Sequence, residues 1–137
     1  MKANELMVGD LVLHDGKVIR VDAVHKRKIG YHKTKDKLTW LFSGQFEPIP
    51  LTPEILEKNG FNEPPLEMQK RVRFVVLCEE YQIRYSFNSY WFNIYKNAAA
   101  HAIGYPTFIC AFQERIKYVH ELQHALRLCK VDKEIVL

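Results

Sequence analysis

Pro48-Ile49-Pro50 constrains this chain more than any other segment, because two prolines in three residues remove backbone donors and hold the chain extended. No regular strand or helix runs through this point. Before it the sequence reads as short strands joined by turns; after it come a helix, a second set of strands and a final amphipathic segment. The break divides the 137 residues into a small unit at 1–50 and a larger one at 51–137, expected to pack as one compact protein with a modest core.

Within 1–50 the strongest local signal is Asp15-Gly16, a dipeptide suited to positive φ, placed between the runs Val8 to His14 and Lys17 to Val24. That pattern predicts a tight hairpin. Ile29 to His32 and Leu38 to Phe42 are further strands, and strands this short and closely spaced point to a small curled sheet or SH3-like β-barrel. After the proline break, Thr52 is placed to cap a helix, Pro53 suits its first position, Glu54 complements its dipole and Asn59-Gly60 ends it. Phe61 is expected to fold back on Ile55 or Leu56.

Arg71 to Cys78, Tyr81 to Phe87, Tyr90 to Tyr95 and Thr107 to Ala111 read as an antiparallel meander, with Tyr81, Ile83, Tyr85 and Phe87 alternating most cleanly. Lys117 to Cys129 has helical spacing. One flank carries Val119, Leu122, Ala125, Leu126 and Cys129, and the other His120, His124 and Arg127. The fold class is therefore α+β, with the last helix expected to pack on the second sheet.

Composition narrows the function classes. No apolar run approaches the roughly 18 residues that cross a bilayer, and Met1 to Asp10 has no apolar signal region, so a cytoplasmic protein without a membrane partner is expected. Three cysteines, Cys78, Cys110 and Cys129, lie far apart with no C-x-x-C pair, which reads as buried free thiols.

One motif suggests chemistry. His120-Glu121-Leu122-Gln123-His124 matches H-E-x-x-H, in which histidines at i and i+4 hold zinc and the glutamate serves as general base. A small zinc-dependent metallopeptidase with ligands His120 and His124 and catalytic Glu121 is thus one reading. Against it, Arg127 and Lys130 stand where the extended metzincin motif needs glycine and histidine. Glu134 is poorly spaced for a third ligand, and nothing in the spacing selects His101. The competing reading is a helix that docks by its aliphatic side, with histidines facing solvent or making polar contacts.

The second feature is charge. Residues 1–50 carry nine Lys/Arg against six Asp/Glu, and Lys26, Arg27, Lys28, Lys33, Lys35 and Lys37 fall within twelve residues opposed only by Asp36. With Tyr31 and Trp40 nearby, such a stretch suits phosphate neutralisation and base stacking; a solvated, aggregation-blocking sheet edge uses the same residues. The aromatics Tyr81, Tyr85, Phe87, Tyr90, Trp91, Phe92 and Tyr95 read as core and interface rather than a ligand groove.

Three blocks carry a resemblance: Met1 to Leu6 followed by Gly9-Asp10, Pro48 to Phe61, and Tyr118 to Leu126. Together they resemble an uncharacterised family of small bacterial and prophage-type proteins. The resemblance covers the two termini and the middle linker, implies kinship without an assigned activity, and implies a helical tail rather than a peptidase. The expectation is a non-enzymatic binding or accessory module of mobile-element type, with a nucleic-acid or protein partner and no cofactor; the alternative is the zinc metallopeptidase.

Overall fold

The computed structural model describes residues 1–64, 74–77, 81–86, 91–96, 107–112, 115–128 and 131–137. They form an α+β protein of antiparallel sheets, in two compact units: Met1–Pro50 with Tyr118–Leu126, and Leu51–Lys117 with Arg127–Leu137. One division between the units falls after Pro50. The first unit, however, also takes in Tyr118–Leu126, which the sequence reading had grouped with the C-terminal part.

The first unit opens with a 3₁₀ turn at Ala3–Glu5. Strands β1 (Leu11–His14) and β2 (Lys17–Arg20) follow, paired across the expected two-residue turn with His14 opposite Lys17. Asp15 and Gly16 lie at φ 48° and 72°, positive at both central positions as a type I′ turn requires. The run after the turn is not one strand. It bends at Val21-Asp22, where Val21 N–H donates to Asp10 and Asp22 N–H donates to Gly30. Beyond the bend, β3 (Ala23–His25), β4 (Lys28–Thr34) and β5 (Lys37–Phe42) make a three-stranded meander, and β1–β2 remains a separate pair.

Among the described residues these strands do not close into a barrel, although a single bridge joins Leu13 to Glu47. Alternation along the strands fills one core with Ala3, Leu6, Val12, Val21, Ile29, Leu41 and Phe46. Gly30 is confined by its neighbours: a Cβ there would lie 3.1 Å from Leu38 Cδ1 and 3.3 Å from the Ala23 Cβ.

In the second unit, helix α1 (Pro53–Lys58) forms as its end signals require. Thr52 Oγ1 accepts the Ile55 N–H at 3.3 Å, and at the other end Phe61 N–H donates to Leu56 and Gly60 N–H to Glu57, a Schellman stop with Gly60 at φ 82°. Leu56 and Phe61 are both buried. Strands β6 (Phe74–Leu77), β7 (Tyr81–Ser86), β8 (Trp91–Lys96) and β9 (Thr107–Phe112) form the antiparallel meander in sequence order. Buried Tyr85 donates its hydroxyl to the Ile116 carbonyl at 2.7 Å, so it is a core residue. The side chains of Phe87, Tyr90, Trp91, Phe92 and Tyr95, and all three cysteines, lie outside the described residues. No helix among the described residues is long and apolar enough to cross a membrane.

The C-terminal segment 131–137 has no regular structure of its own, yet Val131 and Ile135 are buried. Asn59 explains how it is held. Its Nδ2 donates to Ile55 and Val136 carbonyls, both at 2.7 Å, and its Oδ1 accepts the Val136 N–H at 2.8 Å. Removing this amide leaves the Val136 N–H and carbonyl, both part-buried, without these side-chain partners, while the Ile55 carbonyl keeps the Asn59 N–H. Asn59→Ala is expected to lower unfolding free energy by about 2 kcal/mol, read by chemical denaturation, with faster hydrogen exchange at the Val136 amide.

Candidate functional site

Helix α2 (Val119–Leu128) carries the H-E-x-x-H residues, and its surroundings show what each of them does. The chain enters it along Ile49, whose carbonyl accepts the Val119 N–H at 2.9 Å. Glu121, at the third helical position, reaches back so that Oε2 accepts the Tyr118 N–H at 3.0 Å, the reciprocal half of a capping box. The carboxylate proposed as a general base thus satisfies an orphan helix-end donor.

Gln123, one of the two unspecified positions of the motif, is buried and bonded on both sides. Its Oε1 accepts the Leu11 N–H at 3.0 Å and its Nε2 donates to the Gly9 carbonyl at 3.1 Å. The side-chain amide stands in for the peptide group of a neighbouring strand. Gly9 makes this possible by adopting φ 94°, which also lets its N–H reach the Val21 carbonyl at 2.7 Å.

Between Gly9 and Leu11 sits Asp10, 0% exposed. Its Oδ2 accepts the Met7 N–H at 2.8 Å and lies 2.6 Å from His124 Nε2, which donates to it. A carboxylate this deeply buried needs such partners. His124 is therefore occupied by a charge-assisted bond to a residue 114 positions away in sequence.

His120 is 6% exposed and does not face solvent as one sequence reading had it. Its ring stacks on Tyr118 at 5.9 Å between centroids and meets the His124 ring edge-on at 5.7 Å. Its Nδ1 is buried without a hydrogen-bond partner. Burial holds the imidazole below its ordinary 6.5, against the opposing pull of Glu121 and Asp10. Among the described residues no three His, Cys, Asp or Glu side chains are grouped to hold a metal. His101 lies outside the described residues, and Glu134 belongs to the C-terminal segment of the second unit.

The six basic residues do not form one patch. Lys26 and Arg27 make the turn between β3 and β4, with Lys26 at φ 51°, while Lys35 and Asp36 make the turn between β4 and β5. Successive turns of a meander lie at opposite ends, so the seven residues of β4, about 20 Å at 3.3 Å per step, separate the two groups. Lys28 belongs with the first group; Lys33 and Lys37 belong with the second.

Around the first group the outer face of the sheet carries aromatics. Trp40 is 38% exposed and Phe42 59% exposed, and they alternate on one side of β5 while Leu41 points into the core. Lys28 lies opposite Phe42 in the register and holds its Nζ 4.7 Å from the Trp40 ring centroid. Phe42 and the turn residues His25 to Lys28 line a hollow of about 270 Å³. Sequence reasoning singled out Trp40 but not Phe42; the signal was the aromatic pair at i and i+2 around a core leucine.

No protein-family model, no curated protein and no solved structure matches this chain, so the geometry alone carries the functional reading.

Buried His120 makes the protein acid-sensitive. Unfolded chains take up a proton at this histidine near pH 6.5, while the folded site resists it to lower pH, so stability falls as pH drops below about 6.5 and levels off once the folded site titrates. His120→Phe, which keeps a ring and removes the titration, is expected to flatten the dependence of denaturation midpoint on pH between about 7 and 5 relative to the native protein.

Proposed function

We propose that this protein is a non-enzymatic binding module of accessory, mobile-element type, and that its first unit binds single-stranded nucleic acid on the outer face of β3, β4 and β5. The observation that carries the reading is the pair of exposed rings, Trp40 and Phe42, on a strand face shared with Lys28 and bordered by Lys26 and Arg27. Large apolar side chains left open together on a small domain mark an interaction surface. Rings flanked by cations suit bases that stack and phosphates that follow.

The finer architecture in this reading is SH3-like. Two features support it: the bend at Val21-Asp22, where one run leaves β1 and pairs with β4, and the Leu13–Glu47 bridge, which returns the chain after β5 to the other edge of β1. Curled five-strand units of this kind present a face and turns to a linear ligand. The H-E-x-x-H segment then acts as part of the scaffold, since Glu121 caps its own helix and His124 bonds Asp10.

The test is fluorescence anisotropy with labelled single-stranded DNA and RNA of mixed sequence across a range of salt. Trp40→Ala is expected to weaken binding by about 1–3 kcal/mol, the loss of one stacked base. Lys28→Gln is expected to lower the slope of log affinity against log salt by about 0.7, one phosphate contact on a single strand. Absence of binding at low salt, or equal affinity of the Trp40→Ala variant, contradicts the proposal.

A further inference from the structure

A second site lies in the same unit, away from the exposed rings. The β1–β2 hairpin and the far half of β4 enclose a cleft of about 570 Å³, within the size range of small-molecule sites. Tyr31 forms an aromatic wall, steadied by packing on the core and by the His14 ring edge-on at 5.9 Å. His14 is itself fixed, since its Nδ1 donates to the Gln45 carbonyl at 2.7 Å.

Cations reach this cleft from both sides. Lys17 comes from the start of β2, and Lys33 from β4 at a bulge where the register against β5 slips between His32 and Thr34. A bulge re-aims the side chain of its extra residue, and here that residue is Lys33. Arg20 also lines the cleft, where its charge acts on the Asp22 carboxylate. Of the two carboxylates present, Asp15 is 86% exposed at the turn, and Asp22 is engaged by His32, whose backbone N–H and Nδ1 donate to Oδ2 at 2.9 and 2.8 Å. Those bonds hold the Asp22 carboxyl below its usual range.

An aromatic wall with lysines from two strands in the same lining matches a ligand that carries both a flat ring and a compact anion. We infer that this cleft binds a phosphorylated nucleoside, with the base against Tyr31 and the phosphate between Lys17 and Lys33. The same chemistry is offered by a free mononucleotide and by the phosphorylated end of a strand. The site uses none of the residues of the Trp40 and Phe42 face, so it stands or falls separately from the reading above.

Amide shift titration of the ¹⁵N-labelled full chain with AMP and UMP, alongside adenosine and inorganic phosphate, tests it. Saturable shifts are expected at residues 17–20 and 31–33, with adenosine and phosphate each binding at least about tenfold more weakly than the nucleotides. The Lys17→Gln/Lys33→Gln double variant removes two exposed charges without touching the core, so its amide spectrum stays native; its affinity for AMP is expected to fall about tenfold or more, and that of Trp40→Ala to stay unchanged. Oligonucleotides with and without a 5′-phosphate separate the sources: tighter binding of the phosphorylated form assigns the cleft to strand ends, and equal binding assigns it to free nucleotides. Failure of AMP, UMP and the phosphorylated strand to saturate, or unchanged AMP affinity in the lysine variant, overturns the inference.

Discussion

The first unit depends on three consecutive residues, Gly9 and Leu11 through their backbone and Asp10 through its carboxylate, being held by two consecutive side chains of the last helix, Gln123 and His124. Gln123 completes the hydrogen bonding of the chain on either side of Asp10, and His124 supplies a donor to a carboxylate that has no access to water. Burial makes these bonds matter: each group, left without its partner, would carry its full desolvation cost. The helix is therefore part of the unit even though residues 51–117 intervene in sequence. Asn59 does comparable work in the second unit, where one carboxamide bonds both the N–H and the carbonyl of Val136.

This arrangement gives the H-E-x-x-H residues a physical reason to be present that involves no chemistry on a substrate. The spacing that puts two imidazoles on one side of a helix also puts Glu121 within reach of the helix start and Gln123 beside the histidines. Tyr118 and His120 stack, His120 and His124 meet edge-on, and the row ends on Asp10. Five letters of sequence describe a ligand set and a structural clasp equally well; here Glu121, Gln123 and His124 each hold a hydrogen-bond partner within the protein, and His120 packs between two rings.

Much of the architecture was legible because it is set by local physics. Asp15-Gly16 fixed a hairpin through its positive φ angles, Thr52 to Phe61 fixed a capped helix and its Schellman stop, and the alternation from Tyr81 fixed a strand. The bend at Val21-Asp22 was not legible, since Val18 to Val24 alternates well enough for one strand; it arises where the run exchanges β1 for β4. Nor was the burial of His120 and Gln123. Helical periodicity identifies an aliphatic stripe, but it does not reveal that the polar flank also meets partners more than a hundred residues away.

The charged stretch shows a related limit. Linear density placed six cations in one patch, whereas meander geometry sends them to opposite ends of β4. One end gathers exposed rings and the other opens on a cleft whose lysines come from two hairpins, so neither grouping is written as a contiguous motif. The most direct measurement of the central claim, that the paired histidine segment is a structural clasp, is a double-mutant cycle on Asp10→Ala and His124→Ala by chemical denaturation. The account predicts single losses of about 2–4 kcal/mol and a coupling energy above about 1 kcal/mol; losses that add to within about 0.5 kcal/mol would contradict it.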